Sequence, residues 1–91
     1  MFKYFDKKGK IYQMKDKELK LLYEHIGTLV KTHREKLNKS QFHFGLEVGR
    51  SANQIGRIER AEGNPTVDTL YNIAKYINVD IQEFFNINRK S

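Results

Sequence analysis

The sequence predicts a small all-α domain of five helices, and three observations carry that expectation. Apolar residues recur at threes and fours along most of the chain, residues able to cap a helix stand ahead of the periodic runs, and Gly49 splits residues 40–60 into two short helices. That stretch, SQFHFGLEVGRSANQIGRIER, organises the rest. Ser40 and Ser51 can each cap a helix, because a serine oxygen accepts from an orphan amide two or three residues on. Gly49 lies between them, where a tight turn calls for positive φ and a residue without Cβ meets that demand at no steric cost. Phe44, Val48, Ile55 and Ile58 recur at helical spacing across the two helices and give one shared apolar seam. The second helix exposes Ala52, Asn53, Gln54 and Arg57 on its first turn and a half. These side chains are short, polar or forked, and suit contact with base edges.

The remaining elements follow in order. Residues 1–14, MFKYFDKKGKIYQM, put Phe2, Tyr4 and Phe5 before Asp6-Lys7-Lys8-Gly9 and Ile11 and Tyr12 after it, the pattern of a short hairpin or arm. A lone two-stranded hairpin is marginal in water, so it must pack on the domain, pair with a second subunit or stay loose. Asp16 is placed to cap a helix running to about Leu37, with Leu19, Leu22, Ile26, Leu29, Val30, His33 and Leu37 on one face. Gly27 in mid-helix costs roughly 1 kcal/mol relative to Ala, which implies that a neighbouring helix passes close there. Asn38 can end this helix in a left-handed conformation.

Beyond the central pair, AEGNP at 61–65 breaks the periodicity with Gly63 and the only proline, and reads as a loop. Thr66 or Val67 opens a fourth helix with Leu70, Ile73, Ala74 and Ile77 on one face and Asp68 in the first turn, where its charge suits the helix dipole. Asn78 ends it. Asp80 caps a last short helix, IQEFF, whose Ile81, Phe84 and Phe85 exceed what so small a core needs and are expected to supply a dimer contact. The chain thus divides into a basic, aromatic arm at 1–15, a helical domain at 16–86 and a short polar tail at 87–91.

Ninety-one residues permit one domain with a modest core. The absence of cysteine excludes disulfides and thiolate metal sites and leaves stability to packing. The N-terminus lacks the apolar core of a signal peptide, and no run approaches the roughly 18–20 apolar residues that span a bilayer. A cytoplasmic location with no membrane partner is therefore expected. The formal net charge of +6 is unevenly placed, since residues 1–20 hold seven Lys against three acids and residues 66–91 are balanced. A basic balance favours a polyanionic partner such as nucleic acid.

His25, His33 and His43 lack an acid or thiol partner at ligand spacing, so no metal site is expected. No Gly-rich phosphate loop, nucleophile elbow or paired-carboxylate pattern appears, which argues against an enzyme and implies no cofactor. Most of the five tyrosines and six phenylalanines fall at helical core spacing or in the N-terminal hairpin, and read as core rather than as a stacking platform for single strands.

Residues 26–85 resemble the Cro and phage-repressor (XRE-like) type of helix-turn-helix domain. The resemblance rests on Ile26-Gly27 and Arg34 in the first helix, Ser40-Gln41 at the start of the second, and Gly49 with Ser51 at the turn. It continues through Ile55, Ile58 and Glu59 in the third helix, Asn64-Pro65 in the loop, and DTLYNIAKYINVDIQEFF to the end. It implies a third helix that enters the major groove, with Asn53 and Arg57 as chief base readers and Ala52, Gln54 and Gly56 near the groove floor. The amide end and side chain of Gln41 would hold a phosphate, flanked by contacts from Arg50, Ser51, Arg60 and Asn64. It also implies an ion pair between Arg34 and Glu59. Four positions depart from the pattern: Lys39 and Arg50 where an apolar residue is usual, Gly45 where Ala is common, and Ala61 where Gly often follows the third helix.

The function implied is a dimeric, sequence-specific regulator on double-stranded DNA with a roughly palindromic operator. The alternative, a protein-interaction module of antitoxin type with the helix-turn-helix as scaffold, would use the aromatic N-terminus and apolar C-terminus to bind a protein partner.

Overall fold

Four short polar side chains fix where the helices of the domain begin. They are seen in a computed structural model that describes residues 3–5 and 11–87, with side chains from residue 17 onward. Ser40 Oγ accepts from the His43 amide at 3.0 Å and opens α2 (Gln41–Val48). Ser51 Oγ accepts from the Gln54 amide at 3.1 Å and opens α3 (Ala52–Glu59). Thr66 Oγ1 accepts from the Thr69 amide at 3.1 Å and opens α4 (Val67–Ile77). Asp80 Oδ1 accepts from the Gln82 amide at 2.9 Å ahead of a 3₁₀ helix, Ile81–Phe85. Each bond satisfies an amide that a helix start leaves without a partner. The fifth helix is 3₁₀ rather than α because its five residues close through i→i+3 bonds, such as Glu83 N to Asp80 O at 2.9 Å.

The helix ends share one solution. Asn38, Gly49, Ala61 and Asn78 all take left-handed φ, between 56° and 74°. After each, an amide reaches back five residues: Lys39 to Arg34, Arg50 to Gly45, Glu62 to Arg57 and Val79 to Ala74, at 2.8–3.3 Å. This is the Schellman closure, which turns the chain sharply enough for the next helix to start within a few residues. Ala61 adopts it at φ 59°, so the departure from Gly there leaves the turn intact and adds strain.

The first helix, α1 (Met14–Lys36), follows directly on a two-stranded antiparallel pair, β1 (Lys3–Phe5) and β2 (Ile11–Gln13), with Tyr4 opposite Tyr12. The expected hairpin turn, Asp6-Lys7-Lys8-Gly9, and Phe2 lie outside the described residues, as do residues 88–91 of the tail. Because β2 runs straight into α1, the helix starts at Met14, and Asp16 lies inside it rather than capping it.

Ile26, Val30, Phe44, Val48, Ile55, Ile58, Leu70, Ile73, Ala74, Ile77 and Phe84 are buried together, with Leu22, Tyr23, Leu29, Tyr76, Val79 and Ile81 packed around them. Phe44 meets Tyr76 edge-on, with ring centroids 5.5 Å apart. Two expectations fail at the ends of the apolar stripe of α1. Leu19 is exposed because the helix extends beyond the surface it packs against, and Leu37 is exposed because it falls in the turn just past the end of the helix. Phe84 is fully buried at 0% exposure, which corrects its assignment to a dimer contact: it plugs the base of the core, while Phe85 faces outward at 48% and Ile81 is half-buried.

Two contacts hold α1 against α3. A Cβ on Gly27 would stand 2.6 Å from the carbonyl oxygen of Ile58 and 2.7 Å from that of Glu59, so glycine alone admits this approach. About two turns further on, Arg34 Nε donates to Glu59 Oε2 at 2.7 Å and Nη2 to Oε1 at 3.0 Å. Arg34 Nη1 donates to the Lys39 carbonyl at 2.8 Å, and Gln41 Nε2 donates to Glu59 Oε1 at 3.1 Å. The pair is 13% and 4% exposed, and the hydrogen bonds to Glu59 hold the Arg34 guanidinium charged even more firmly than usual.

Three stability outcomes follow and are read by thermal unfolding. Arg34→Ala and Glu59→Ala should each cost about 3–5 kcal/mol, since each strands a buried charge, and the double variant should cost less than their sum. Gly27→Ala should destabilise by about 1–3 kcal/mol despite the better helix propensity of Ala, because the new methyl meets backbone that cannot give way. Ala61→Gly should stabilise by roughly 0.5 kcal/mol, as relief of left-handed strain outweighs the added freedom of the unfolded chain.

Candidate nucleic-acid interface

The turn between α2 and α3 is set by steric fit as much as by Gly49. A Cβ at Gly45 would collide with the Arg50 carbonyl oxygen, so the departure from Ala at this position lets the two helices cross closely. Ile55 and Ile58 anchor α3 from beneath, and its outer face is left with Asn53, Gln54 and Arg57 exposed and Ala52 half-buried. This face is mounted rigidly. The Ser51 amide donates to Gln54 Oε1 at 2.9 Å, which completes a reciprocal capping box with the Ser51 hydroxyl. Gln54 therefore holds the start of the helix with its oxygen, and the S-x-x-Q spacing at 51–54 was a legible signal for that role.

Arg57 lies across the loop that follows α3. A Cβ on Gly63 would stand 3.2 Å from Arg57 Nη2 and 3.5 Å from both Cζ and Nε, so the guanidinium packs against the side of Gly63 where a side chain would begin. Gly56 has no Cβ between Gln41 and Arg60, whose Oε1 and Nη1 would be 3.3 and 2.9 Å from one. An open cleft of about 210 Å³ separates α3 from the start of α4, lined by Arg50, Gln54, Arg57, Gly63, Asn64 and Thr69.

The side chains expected to meet phosphate are each engaged within the protein. Gln41 is bonded to Glu59, as described, with its backbone amide at the open N-terminal end of α2. Arg60 pairs with Glu62 at 3.2 Å on the surface. Asn64 Oδ1 accepts from the Tyr23 hydroxyl at 2.6 Å, a link from loop to α1 that the sequence did not reveal. Arg50 makes three bonds, to Thr69, Asp68 and the Gly49 carbonyl. Among the described residues no cluster of three His, Cys, Asp or Glu could hold a metal ion, and no helix is long and apolar enough to cross a membrane. His25 bonds the Glu83 carbonyl at 2.7 Å and His43 the Ser40 hydroxyl at 2.9 Å, which accounts for two of the three histidines structurally.

Comparison with known proteins gives two findings. A helix-turn-helix family model, HTH_3, matches residues 30–84. An HTH_3 family transcriptional regulator from Vibrio cholerae superposes with a TM-score of 0.66 at 28% identity, covering 74% of this chain and 38% of that one. Among curated proteins none matches. The matched segment runs from the buried Val30 of α1 to the buried Phe84, over more than half of the chain, and on that basis the chain belongs to the HTH_3 helix-turn-helix family.

Proposed function

We propose that this protein is a DNA-binding transcriptional regulator that acts as a dimer on a roughly palindromic operator, with α3 in the major groove. One observation carries the reading. Of the four arginines among the described residues, Arg34, Arg50 and Arg60 are in ion pairs, and Arg57 alone is not. It stands beside Asn53 on the exposed face of a capped, core-anchored helix. An arginine can fork onto guanine and an asparagine can pair with adenine, each bidentate contact giving roughly 1–3 kcal/mol of discrimination. Membership of the helix-turn-helix family and the likeness to a transcriptional regulator support the same use of this face.

Phosphate contacts in this reading come from the α2 amide end at Gln41, from Ser51 and from Arg60 and Asn64, which add affinity that falls with salt. Dimerisation would use Phe85 and the half-buried Ile81, placing two copies of α3 about 34 Å apart. Occupying an operator beside a promoter blocks polymerase without any further part, so repression is the simplest action. A second reading, a protein-interaction module, is favoured by Phe42 and Leu46, which are 56% and 62% exposed on the outer face of α2.

Selection of bound duplexes from a random pool separates the two. The wild-type chain should enrich a two-fold-symmetric motif, and Arg57→Ala should lose roughly ten- to a hundredfold of its preference for that motif while remaining folded. Asn53→Ala should relax specificity at a different base pair. Weak binding that is equal for all sequences and vanishes with salt would instead point to a protein partner.

A further inference from the structure

The turn between α2 and α3 carries a charged residue where the family pattern has an apolar one, and its side chain runs back into the protein. Arg50 Nε donates to Thr69 Oγ1 at 2.8 Å, Nη1 to the Gly49 carbonyl at 2.8 Å and Nη2 to Asp68 Oδ2 at 3.1 Å. The side chain is only 22% exposed. Thr69 is itself buried and bonded to Thr66, whose hydroxyl lies 3.0 Å away and caps α4. The guanidinium thus joins the residue before the α3 cap to the N-terminal turn of α4. On its other side, the Arg50 carbonyl rests where a Cβ of residue 45 would be. Main chain and side chain are both held.

The geometry points to Arg50 as a positioning residue for α3, which sets the angle at which the reading helix leaves the turn rather than taking a phosphate itself. This inference rests on the DNA-binding reading above. Asp68 is 76% exposed and lies in the first turn of α4, where the helix dipole already favours its charge, so it has little need of Arg50. Arg50 is the member that needs the contact, because a mostly buried guanidinium requires acceptors on its nitrogens. Three of its five N–H donors are already engaged, two of them by α4, so swinging the side chain out toward a phosphate would give up bonds that fix the turn. An apolar residue at this place would fill the same space but would not bond α4. The fork turns a packing contact into a directional one.

Phosphate contact and positioning give opposite signatures. Binding of the selected operator and of a scrambled duplex is titrated across salt concentrations for wild type, Arg50→Met, Asp68→Asn and Thr69→Val, each first checked for cooperative thermal unfolding. Asp68→Asn alters an exposed side chain and serves if Arg50→Met unfolds. A positioning role predicts an unchanged salt slope in Arg50→Met, with preference for the operator reduced about tenfold, the size of one mismatched base pair. Asp68→Asn and Thr69→Val should shift the same preference in the same direction. A slope shallower by about 0.9, equal weakening on both duplexes, or tighter binding by Asp68→Asn would show a phosphate contact and overturn the assignment. Failure of the wild type to prefer any duplex would overturn the DNA reading itself, and with it this role. That outcome is distinct, because it appears before any variant is compared.

Discussion

The buried carboxylate of Glu59 is the point on which the arrangement of the first three helices depends. It ends α3, and its two oxygens accept from Arg34 of α1 and Gln41 of α2. A carboxylate 4% exposed is tolerable only because charge and hydrogen bonds compensate its lost hydration. That requirement converts a chemical need into a geometric one. Two helices must bring their donors to the carboxylate that ends the third, and the absent Cβ of Gly27 lets α1 come close enough to do so. The apolar core beneath would accept small changes of helix angle; the forked contact admits far fewer.

Much of this was legible in the sequence because it follows from local rules. Ser40, Ser51 and Asp80 announce helix starts by their side-chain chemistry, and Asn38, Gly49 and Asn78 announce ends by their tolerance of left-handed φ. Spacing put Phe44, Val48, Ile55, Ile58, Leu70, Ile73, Ala74 and Ile77 in the core, where the structure has them. Gly27 signalled a close approach through its propensity cost alone. The outer face of α3 was legible for the same reason, as what remains once the buried seam is subtracted.

What was not legible depends on partners distant in sequence. Nothing local distinguishes Phe84, which fills the base of the core, from Phe85 beside it; only the way the 3₁₀ turn packs against α1 and α4 separates them. Nothing near Asn64 in the sequence shows that its Oδ1 accepts from Tyr23, forty-one residues away, which leaves its amide nitrogen to face outward. Arg50 read as a phosphate contact because its acceptors, Asp68 and Thr69, belong to an element that the turn meets only in three dimensions. Leu19 shows the converse, since a helical period persists along α1 beyond the surface that receives it, and Leu37 keeps the period past the end of the helix.

The way α3 is mounted separates two kinds of residue on one short helix. Ile55, Ile58 and Glu59 are committed to the domain, and Gln54 spends its oxygen on the cap. The side chains of Asn53 and Arg57 make no hydrogen bond or ion pair with the rest of the protein among the described residues. Replacing those two therefore disturbs little that keeps the chain folded, so variants can wander through many surface chemistries without first losing stability. In the proposed reading, such a scaffold could be retargeted over successive generations by a pair of substitutions, while position 54 is confined to side chains that can still close the capping box.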